Sequence, residues 1–204
     1  MNRLLILILL IFSFNQYGFS AVLTSYETGQ DGAIEIGCGG GGCATRERAG
    51  AQSFLLSSDA TVESVDLYLQ QNTGFDNIDV RIETDSSGVP SGTLADANAT
   101  CTIAEANVPA SYDFETCTFS SSFSLTASTS YWIVVRRSSQ DSGGADENYL
   151  WGLDTTSPSY TDGVAKQSDN DYSSGPNWSG TSDSLFRVNG TEAGGGFTAK
   201  VMWV

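Results

Sequence analysis

Five aromatic side chains that could stack on a sugar ring lie in one part of the chain: Tyr149, Trp151, Tyr160, Tyr172 and Trp178. Exposed aromatic rings stack on sugars and make rigid contacts at low entropic cost. Tyr149 and Trp151 alternate along an apolar stretch, so a place in the core is the favoured alternative for these two. Tyr172 and Trp178 sit among Ser, Asp, Asn and Gly, which favours an exposed surface. The group as a whole is the predicted ligand-binding set.

A second group of side chains offers oxygen ligands in the same region: Asp154, Asp162, Asp169 and Asp171. Calcium takes several carboxylate and carbonyl oxygens from a flexible loop, and residues 168–171 supply such oxygens. The spacing lacks the glycine and the distant glutamate of an EF-hand. A structural calcium site is therefore one prediction, and an acidic turn closed by side-chain hydrogen bonds is the alternative.

The chain contains no histidine. This excludes Ser-His-Asp and Cys-His nucleophile systems, as well as zinc, copper or iron sites that use histidine ligands. Two carboxylates can hydrolyse a glycosidic bond without histidine, but nothing in the sequence singles out a pair. We therefore predict a protein that is not an enzyme.

Acidic residues dominate the charge, with 24 Asp and Glu against 9 Lys and Arg and a net charge of −15. The charges are spread along the chain, which is typical of a solvated surface. Partners such as nucleic acid and anionic membranes demand clustered Lys and Arg. We therefore expect neither as a partner.

The first residues have the pattern of a secretory signal peptide. A positive start with Arg3 precedes the apolar run 4–14, and small residues at Gly18 and Ser20 place cleavage before Ala21. The run is shorter than the roughly 20 apolar residues that a spanning helix needs, which makes an uncleaved anchor the weaker alternative. The mature protein is predicted to be secreted or at the cell surface, without membrane contact.

Four cysteines in a secreted chain predict two disulfides, for which three pairings are possible. Cys38 and Cys43 bracket four glycines, whose freedom to adopt positive φ angles allows a tight ring. Cys101 and Cys117 lie on two neighbouring predicted strands, and a bridge between them would stabilise by roughly 3 kcal/mol. The alternative for Cys38 and Cys43 is that they supply two ligands of a metal site, but the sequence has no second Cys or His pair to complete it.

No stretch shows sustained helical periodicity, and short strands recur with turns between them. Residues 129–136 are apolar at nearly every step, which indicates a central strand buried on both faces. Residues 148–154 form the next strand, and together the two make the middle of a sandwich. Alternating strands are predicted around residues 65–70 and 78–83. The fold class is all-β, an antiparallel β-sandwich of jelly-roll type.

The domain prediction has four parts: a signal peptide (1–20), a Cys- and Gly-rich arm (21–48), the sandwich (49–190), and a Gly linker with a C-terminal strand (191–204). In the last strand, alternation places Phe197, Ala199, Val201 and Trp203 on one face. Such an apolar stripe must pack in its own sandwich or in that of a neighbour.

Several motifs in a fixed order resemble a known secreted module: residues 51–54, 80–82, 88–92, 123–134, 149–152, 163–166, Trp178 and 185–188. Over roughly residues 49–190 the chain is similar to the "choice-of-anchor R" type of jelly-roll module in bacterial surface and secreted proteins. The resemblance implies a sandwich like a carbohydrate-binding module, usually attached to other domains or to surface anchors, with no defined catalytic residues. The N-terminal arm and the C-terminal strand depart from this pattern.

Two functions follow as hypotheses. One is a secreted, non-catalytic module that recognises a glycan or a cell-surface polymer through aromatic loops. The alternative is a structural subunit of an extracellular filament, pilus-like fibre or surface layer, which self-assembles through its C-terminal strand. Purified protein that is monomeric favours the first hypothesis, and SDS-resistant assemblies favour the second.

Overall fold

The fold is known from a computed structural model, which describes residues 20–37, 48–72, 76–138, 148–168 and 176–194. These residues form thirteen strands, all paired antiparallel, and one short 3₁₀ turn at Glu105–Asn107. The strands are β1 (Ala21–Tyr26), β2 (Gly32–Gly37), β3 (Gly50–Phe54), β4 (Ala60–Gln71), β5 (Ile78–Asp85), β6 (Pro90–Leu94), β7 (Thr100–Ile103), β8 (Asp113–Leu125), β9 (Tyr131–Arg137), β10 (Asn148–Asp154), β11 (Ala165–Ser168), β12 (Trp178–Ser184) and β13 (Phe186–Glu192).

The strands form two sheets that enclose one core. Sheet A contains β1, β13, β4 and β8 in that order, and β10 continues it beside the end of β4 and carries β2. Sheet B contains β11, β3, β9 and β5 in that order, and β6 and β7 both pair with β5. The predicted all-β antiparallel sandwich is confirmed.

One strand, β12, belongs to both sheets. Its first part pairs with β11 in sheet B, and Asp183 and Ser184 pair with β10 in sheet A. The fully buried Gln52 of β3 accepts a hydrogen bond from the Ser184 backbone N–H at 2.7 Å. A buried N–H at such a crossing would otherwise be left without its strand partner, so this side chain stabilises the crossing.

The predicted central strand is confirmed as β9, which lies between β3 and β5. Ile133 and Val135 belong to the main core between the sheets. On the opposite face, Trp132 and Val134 are also buried, in a second small cluster with Ala51. Burial on both faces explains why this stretch is apolar at nearly every position.

The second predicted strand is confirmed as β10, which lies in sheet A. Tyr149 and Trp151 are both fully buried in the core. The indole N–H of Trp151 donates a hydrogen bond to the Leu185 carbonyl at 2.9 Å. Leu185 lies between β12 and β13, so this bond fixes the point where the chain passes from one strand to the next.

The predicted disulfide between Cys101 and Cys117 is confirmed, with a Cα–Cα distance of 5.9 Å. The expectation that its two strands pair with each other is wrong, because β7 pairs with β5 in sheet B and β8 pairs with β4 in sheet A. The bond therefore links the two sheets across the sandwich. The predicted pair Cys38 and Cys43 lies outside the described residues.

Residues at both ends of the predicted sandwich extend its sheets. Ala21–Tyr26 and Gly32–Gly37 of the predicted arm pair with β13 and β10, and β13 runs to Glu192 within the predicted linker. These segments are short and mixed in polarity, so their pairing depends on the sheet and not on a local pattern. Residues 1–19 and the predicted C-terminal strand lie outside the described part of the chain. Within the described part, no helix is long and apolar enough to cross a membrane.

Candidate functional site

Two of the five predicted ligand-binding aromatics are core residues. The structure buries the side chains of Tyr149 and Trp151 completely, with 0 % of their surface exposed. A ring without an exposed face cannot stack on a sugar, so these two positions are corrected to structural roles. The physical reason is the inward alternation of β10, which places both rings opposite sheet B.

Tyr160 is also structural in its contacts. Its ring packs edge-on against Phe186, with 5.3 Å between ring centroids, and its hydroxyl is 2.9 Å from Thr24 Oγ1. Burial raises the pKa of Tyr160 to about 12. The side chain thus fastens the loop after β10 to β1. Tyr172, the fourth predicted aromatic, lies outside the described residues.

Trp178, like Tyr160, is partly exposed. Its ring packs on the outer face of sheet B, against the small cluster that contains Trp132. Next to Trp178, Ser179 lines a cleft of about 220 Å³, together with Ile34, Leu153 and Lys166. This cleft is one surface where a ligand could dock.

The predicted calcium ligands are only partly described. Asp154 is 3 % exposed; its Oδ2 accepts a hydrogen bond from the Tyr26 hydroxyl at 2.5 Å, and its Oδ1 accepts one from the Ser157 backbone at 2.9 Å. Asp162 is exposed. Asp169 and Asp171 lie outside the described residues, among which no group of three or more His, Cys, Asp or Glu is arranged to hold a metal. The contacts of Asp154 are those expected for the acidic-turn alternative, and calcium stays a prediction.

Asp154 has a second carboxylate as its direct partner across the strands, Asp183 of β12. Asp183 is also 3 % exposed, and it accepts a hydrogen bond from the Tyr160 backbone at 2.9 Å. Burial, with a further contribution from the charge of Asp154, raises the pKa of Asp183 above its ordinary value of 3.8. The pair holds the loop after β10 in place, through the backbone of Ser157 and Tyr160, at some electrostatic cost.

We expect Asp183→Asn to raise the melting temperature at pH 7.5. A carboxyl with a raised pKa binds its proton more tightly in the folded state, so wild-type stability falls as pH rises through this pKa. Asparagine keeps an acceptor for the Tyr160 N–H and removes the charge. The difference between variant and wild type should therefore close as the pH is lowered towards 3.8 in a series of thermal melts.

Asp31→Asn is the matched control, for which we expect a change in melting temperature of the opposite sign. Hydrogen bonds from Thr156 and Thr155 hold the pKa of Asp31 at about 2. A carboxyl whose pKa is lowered by folding stabilises the folded state at pH values above its ordinary pKa. Asp31→Asn loses this contribution, so the variant should melt below wild type at neutral pH. An Asp183→Asn variant that melts below wild type at pH 7.5 would show that the pair is not a source of repulsion.

The outer face of sheet A carries a group of aromatic rings that the sequence analysis did not select. We call Tyr68, Tyr112 and Phe114 the aromatic platform. The rings of Tyr68 and Tyr112 are stacked, with centroids 5.5 Å apart and an interplanar angle of 15°. Phe114 lies 5.0 Å from Tyr68 at an angle of 51°. All three rings are partly exposed, so together they offer an apolar surface to solvent.

Strand register creates the platform. Leu67 and Leu69 point into the core, so Tyr68 between them points outward, and its direct partner on β8 is Phe114. Gly152 of β10 leaves room for the Tyr68 ring, because a Cβ at this position would lie 2.7 Å from Tyr68 Cδ1. The Tyr68 ring can therefore lie close to β10.

Charged and polar groups border the platform. The guanidinium of Arg187 lies 3.9 Å from the centroid of Phe114. It donates a hydrogen bond to Glu27 at 2.8 Å and lies 3.6 Å from Asp66. Asp66 also accepts a hydrogen bond from Thr116 at 2.8 Å. These contacts join β1, β13, β4 and β8 and hold the rings in place.

The sequence did contain a signal for this site. In the alternating strand around residue 68, solvent-facing positions are expected to be polar, yet Tyr68 occupies one of them between Asp66 and Gln70. A large aromatic ring at an outward position is a candidate binding residue. Its neighbour Phe114 comes from a strand more than 40 positions away, and no local pattern links the two.

Comparison with other proteins assigns this chain to no group. No family model matches it, and no similar protein was found among curated proteins. The resemblance to the "choice-of-anchor R" module therefore stays a prediction.

Proposed function

We propose that the protein is an extracellular, non-catalytic recognition module that binds a glycan or surface polymer on the outer face of sheet A. The observation that carries this proposal is the stacked, partly exposed pair Tyr68 and Tyr112, with Phe114 beside it. Tyr68 lies on a strand and Tyr112, in the turn before β8, stacks on it, so the two rings are pre-organised and little conformational entropy is lost when a ligand binds.

The chemistry of a sugar fits this surface. One face of a pyranose ring presents C–H groups, which pack on an aromatic face, and its edges present hydroxyls, which need hydrogen-bond partners. Gln30 is exposed and Gln70 half-buried; both lie near the rings and carry amide groups. An apolar centre with planar polar groups at its border favours a saccharide over a purely apolar ligand.

The extracellular location rests on two observations. The disulfide between Cys101 and Cys117 is of a kind that persists in oxidising compartments. The predicted signal peptide at residues 1–20 agrees with this location. The strand-addition alternative depends on residues 197–204, which lie outside the described part of the chain, and it stays a prediction that size measurement in SDS would test.

We expect Tyr68→Ala and Tyr112→Ala each to weaken saccharide binding about tenfold. Removal of a ring loses about 60 Å² of apolar contact, or about 1.5 kcal/mol, and 1.4 kcal/mol corresponds to a factor of about ten in Kd. Calorimetric titration with neutral and charged oligosaccharides measures this loss. Trp178→Ala, which removes a partly exposed ring from sheet B, is the matched control and should bind as wild type does.

The melting temperature of each variant is measured alongside, so that loss of fold is not read as loss of binding. Binding that survives both tyrosine substitutions but is lost in Trp178→Ala would move the site to sheet B and its cleft. Wild-type protein that binds no saccharide in the set would contradict the proposed function.

A further inference from the structure

A cleft lies where β2 and β10 of sheet A face the paired strands β11 and β12. Its volume is about 220 Å³, or roughly seven times the share of one molecule in liquid water. Ile34, Leu153 and Ala165 give it an apolar lining that continues into the main core. The cleft therefore has room for a small molecule and not for a chain of sugar rings.

The polar part of the lining comes from a β-bulge. The register between β11 and β12 shifts between Ala165 and Gln167, where β12 has one residue more than β11. Three consecutive residues of β11, Ala165, Lys166 and Gln167, line the cleft together with Ser179 and Ser182 of β12. A regular strand turns successive side chains to opposite faces, whereas a bulge re-aims a side chain, and bulges are over-represented next to active sites. The bulge thus places a lysine, an amide and two hydroxyls around one apolar cleft.

Lys166 differs from the other basic residues in the described part of the chain. Each of the five arginines there forms an ion pair with a carboxylate, whereas Lys166 forms none. These arginines are Arg48, Arg81, Arg136, Arg137 and Arg187. Lys166 is half-buried, so its ammonium loses part of its hydration without gaining a counter-charge. A carboxylate on a ligand would supply that counter-charge.

None of the described residues that line the cleft is acidic, although the chain has 24 Asp and Glu against 9 Lys and Arg. The carboxylates that adjoin lining residues in sequence are Glu35, Asp154 and Asp183. Strand alternation turns their side chains to the opposite face. Glu35 is paired there with Arg48, and the two aspartates bind the backbone of the loop after β10. The described lining therefore offers an anion one cation and no repelling carboxylate.

The buried hydroxyl of Ser184 lies on the side of β12 that lines the cleft. Ser184 is the register partner of Leu153 and follows Ser182 by two positions, so its side chain shares a face with these two lining residues. Its surface is 0 % exposed, and its Oγ has no hydrogen-bond partner in the described part of the chain. A buried polar group without a partner costs free energy. A ligand oxygen on this face of β12 would give the hydroxyl an acceptor.

We propose that the cleft binds a small monocarboxylic acid with a compact apolar body. The carboxylate pairs with Lys166, whose four-carbon stem is flexible and whose ammonium has three donors. The apolar body packs on Ile34, Leu153 and Ala165. No residue of the aromatic platform lines the cleft, so this site goes beyond the proposed saccharide surface and does not depend on it.

Three probes test the inference at pH 7: benzoate, benzamide and acetate. Benzamide keeps the ring and lacks the charge, and acetate keeps the charge and lacks the ring. Two-dimensional NMR during titration should show saturable shifts in the backbone signals of Ser179, Gly180 and Ser182. We expect benzoate to bind about tenfold more tightly than either of the other probes. Its Kd should rise with added salt, while that of benzamide should not.

A pair of charge variants tests the role of the lysine. Lys166→Gln removes the charge and keeps a polar side chain, so it should weaken benzoate binding about tenfold and leave benzamide binding unchanged. Arg136→Gln is the matched control, because it removes one positive charge from β9, outside the cleft lining, and should bind benzoate as wild type does. Thermal melts of both variants check the fold.

Each of several results would overturn the inference. Benzamide or acetate that binds as tightly as benzoate would show that the cleft recognises shape or charge alone. Equal weakening by Lys166→Gln and Arg136→Gln would reduce the effect to net charge. Saturable shifts at Tyr68 and Tyr112 in place of the cleft, or no saturable shift at all, would also contradict it. Saccharide binding at the platform is tested with other ligands, so its outcome is independent of these results.

Discussion

Replacement of Trp151 by alanine is expected to lower the free energy of unfolding by about 4 kcal/mol, the usual loss for a fully buried tryptophan. The ring is 0 % exposed, and its N–H satisfies the Leu185 carbonyl at the junction of β12 and β13. Alanine would leave a cavity in the interior, and the Leu185 carbonyl would keep only its hydrogen bond from the Tyr68 backbone N–H at 3.2 Å. Chemical denaturation measures the loss directly, because the free energy of unfolding varies linearly with denaturant concentration.

Trp178→Ala is the control for this result. Trp178 is partly exposed and packs on the outer cluster of sheet B, so its replacement removes less buried area. We expect a loss of about 1–2 kcal/mol, below that of Trp151→Ala. Equal losses for the two variants, or a loss below about 1 kcal/mol for Trp151→Ala, would contradict the burial that the structure assigns to β10.

Loss of the disulfide is expected to have the second largest effect. Cys101 and Cys117 are separated by 16 residues and join β7 of sheet B to β8 of sheet A. Closing a loop of this length stabilises by about 3 kcal/mol, because it restricts the unfolded chain. The double variant Cys101→Ser and Cys117→Ser should therefore unfold at a clearly lower denaturant concentration than wild type.

Reductant provides the control for the double serine variant. Wild type in reductant should approach the stability of the double variant. If reductant lowers the stability of the variant itself, that loss comes from a disulfide between other cysteines. Peptide mapping without reduction should recover Cys101 linked to Cys117. Recovery of either residue linked to Cys38 or Cys43 would contradict the position of β7 opposite β8.

The sequence predicts best those elements whose burial leaves a local pattern. Tyr131–Arg137 is recognisable as a central strand because both of its faces are buried and nearly every residue is apolar. The same holds for the inward alternation of Tyr149 and Trp151. Their assignment to a binding surface failed because aromatic type alone does not distinguish a core ring from an exposed one.

Strands whose position depends on residues far away in the sequence cannot be predicted from a local pattern. Trp178–Ser184 is almost entirely polar, and its crossing from sheet B to sheet A depends on Gln52 and on pairing with β10 and β11. The aromatic platform combines Tyr68 of β4 with Phe114 of β8 and with Tyr112, which precedes β8, and the register between the two strands brings Tyr68 and Phe114 together. A single strand shows one outward ring and cannot show the surface that several strands build.

NMR of the aromatic ring signals during titration with an oligosaccharide tests whether the outer face of sheet A binds a saccharide. We expect saturable shifts in the ring signals of Tyr68, Tyr112 and Phe114, with no change in the indole signals of Trp132 and Trp178. Shifts confined to Trp178 and to the cleft beside β12, with the platform signals unmoved, would contradict this expectation.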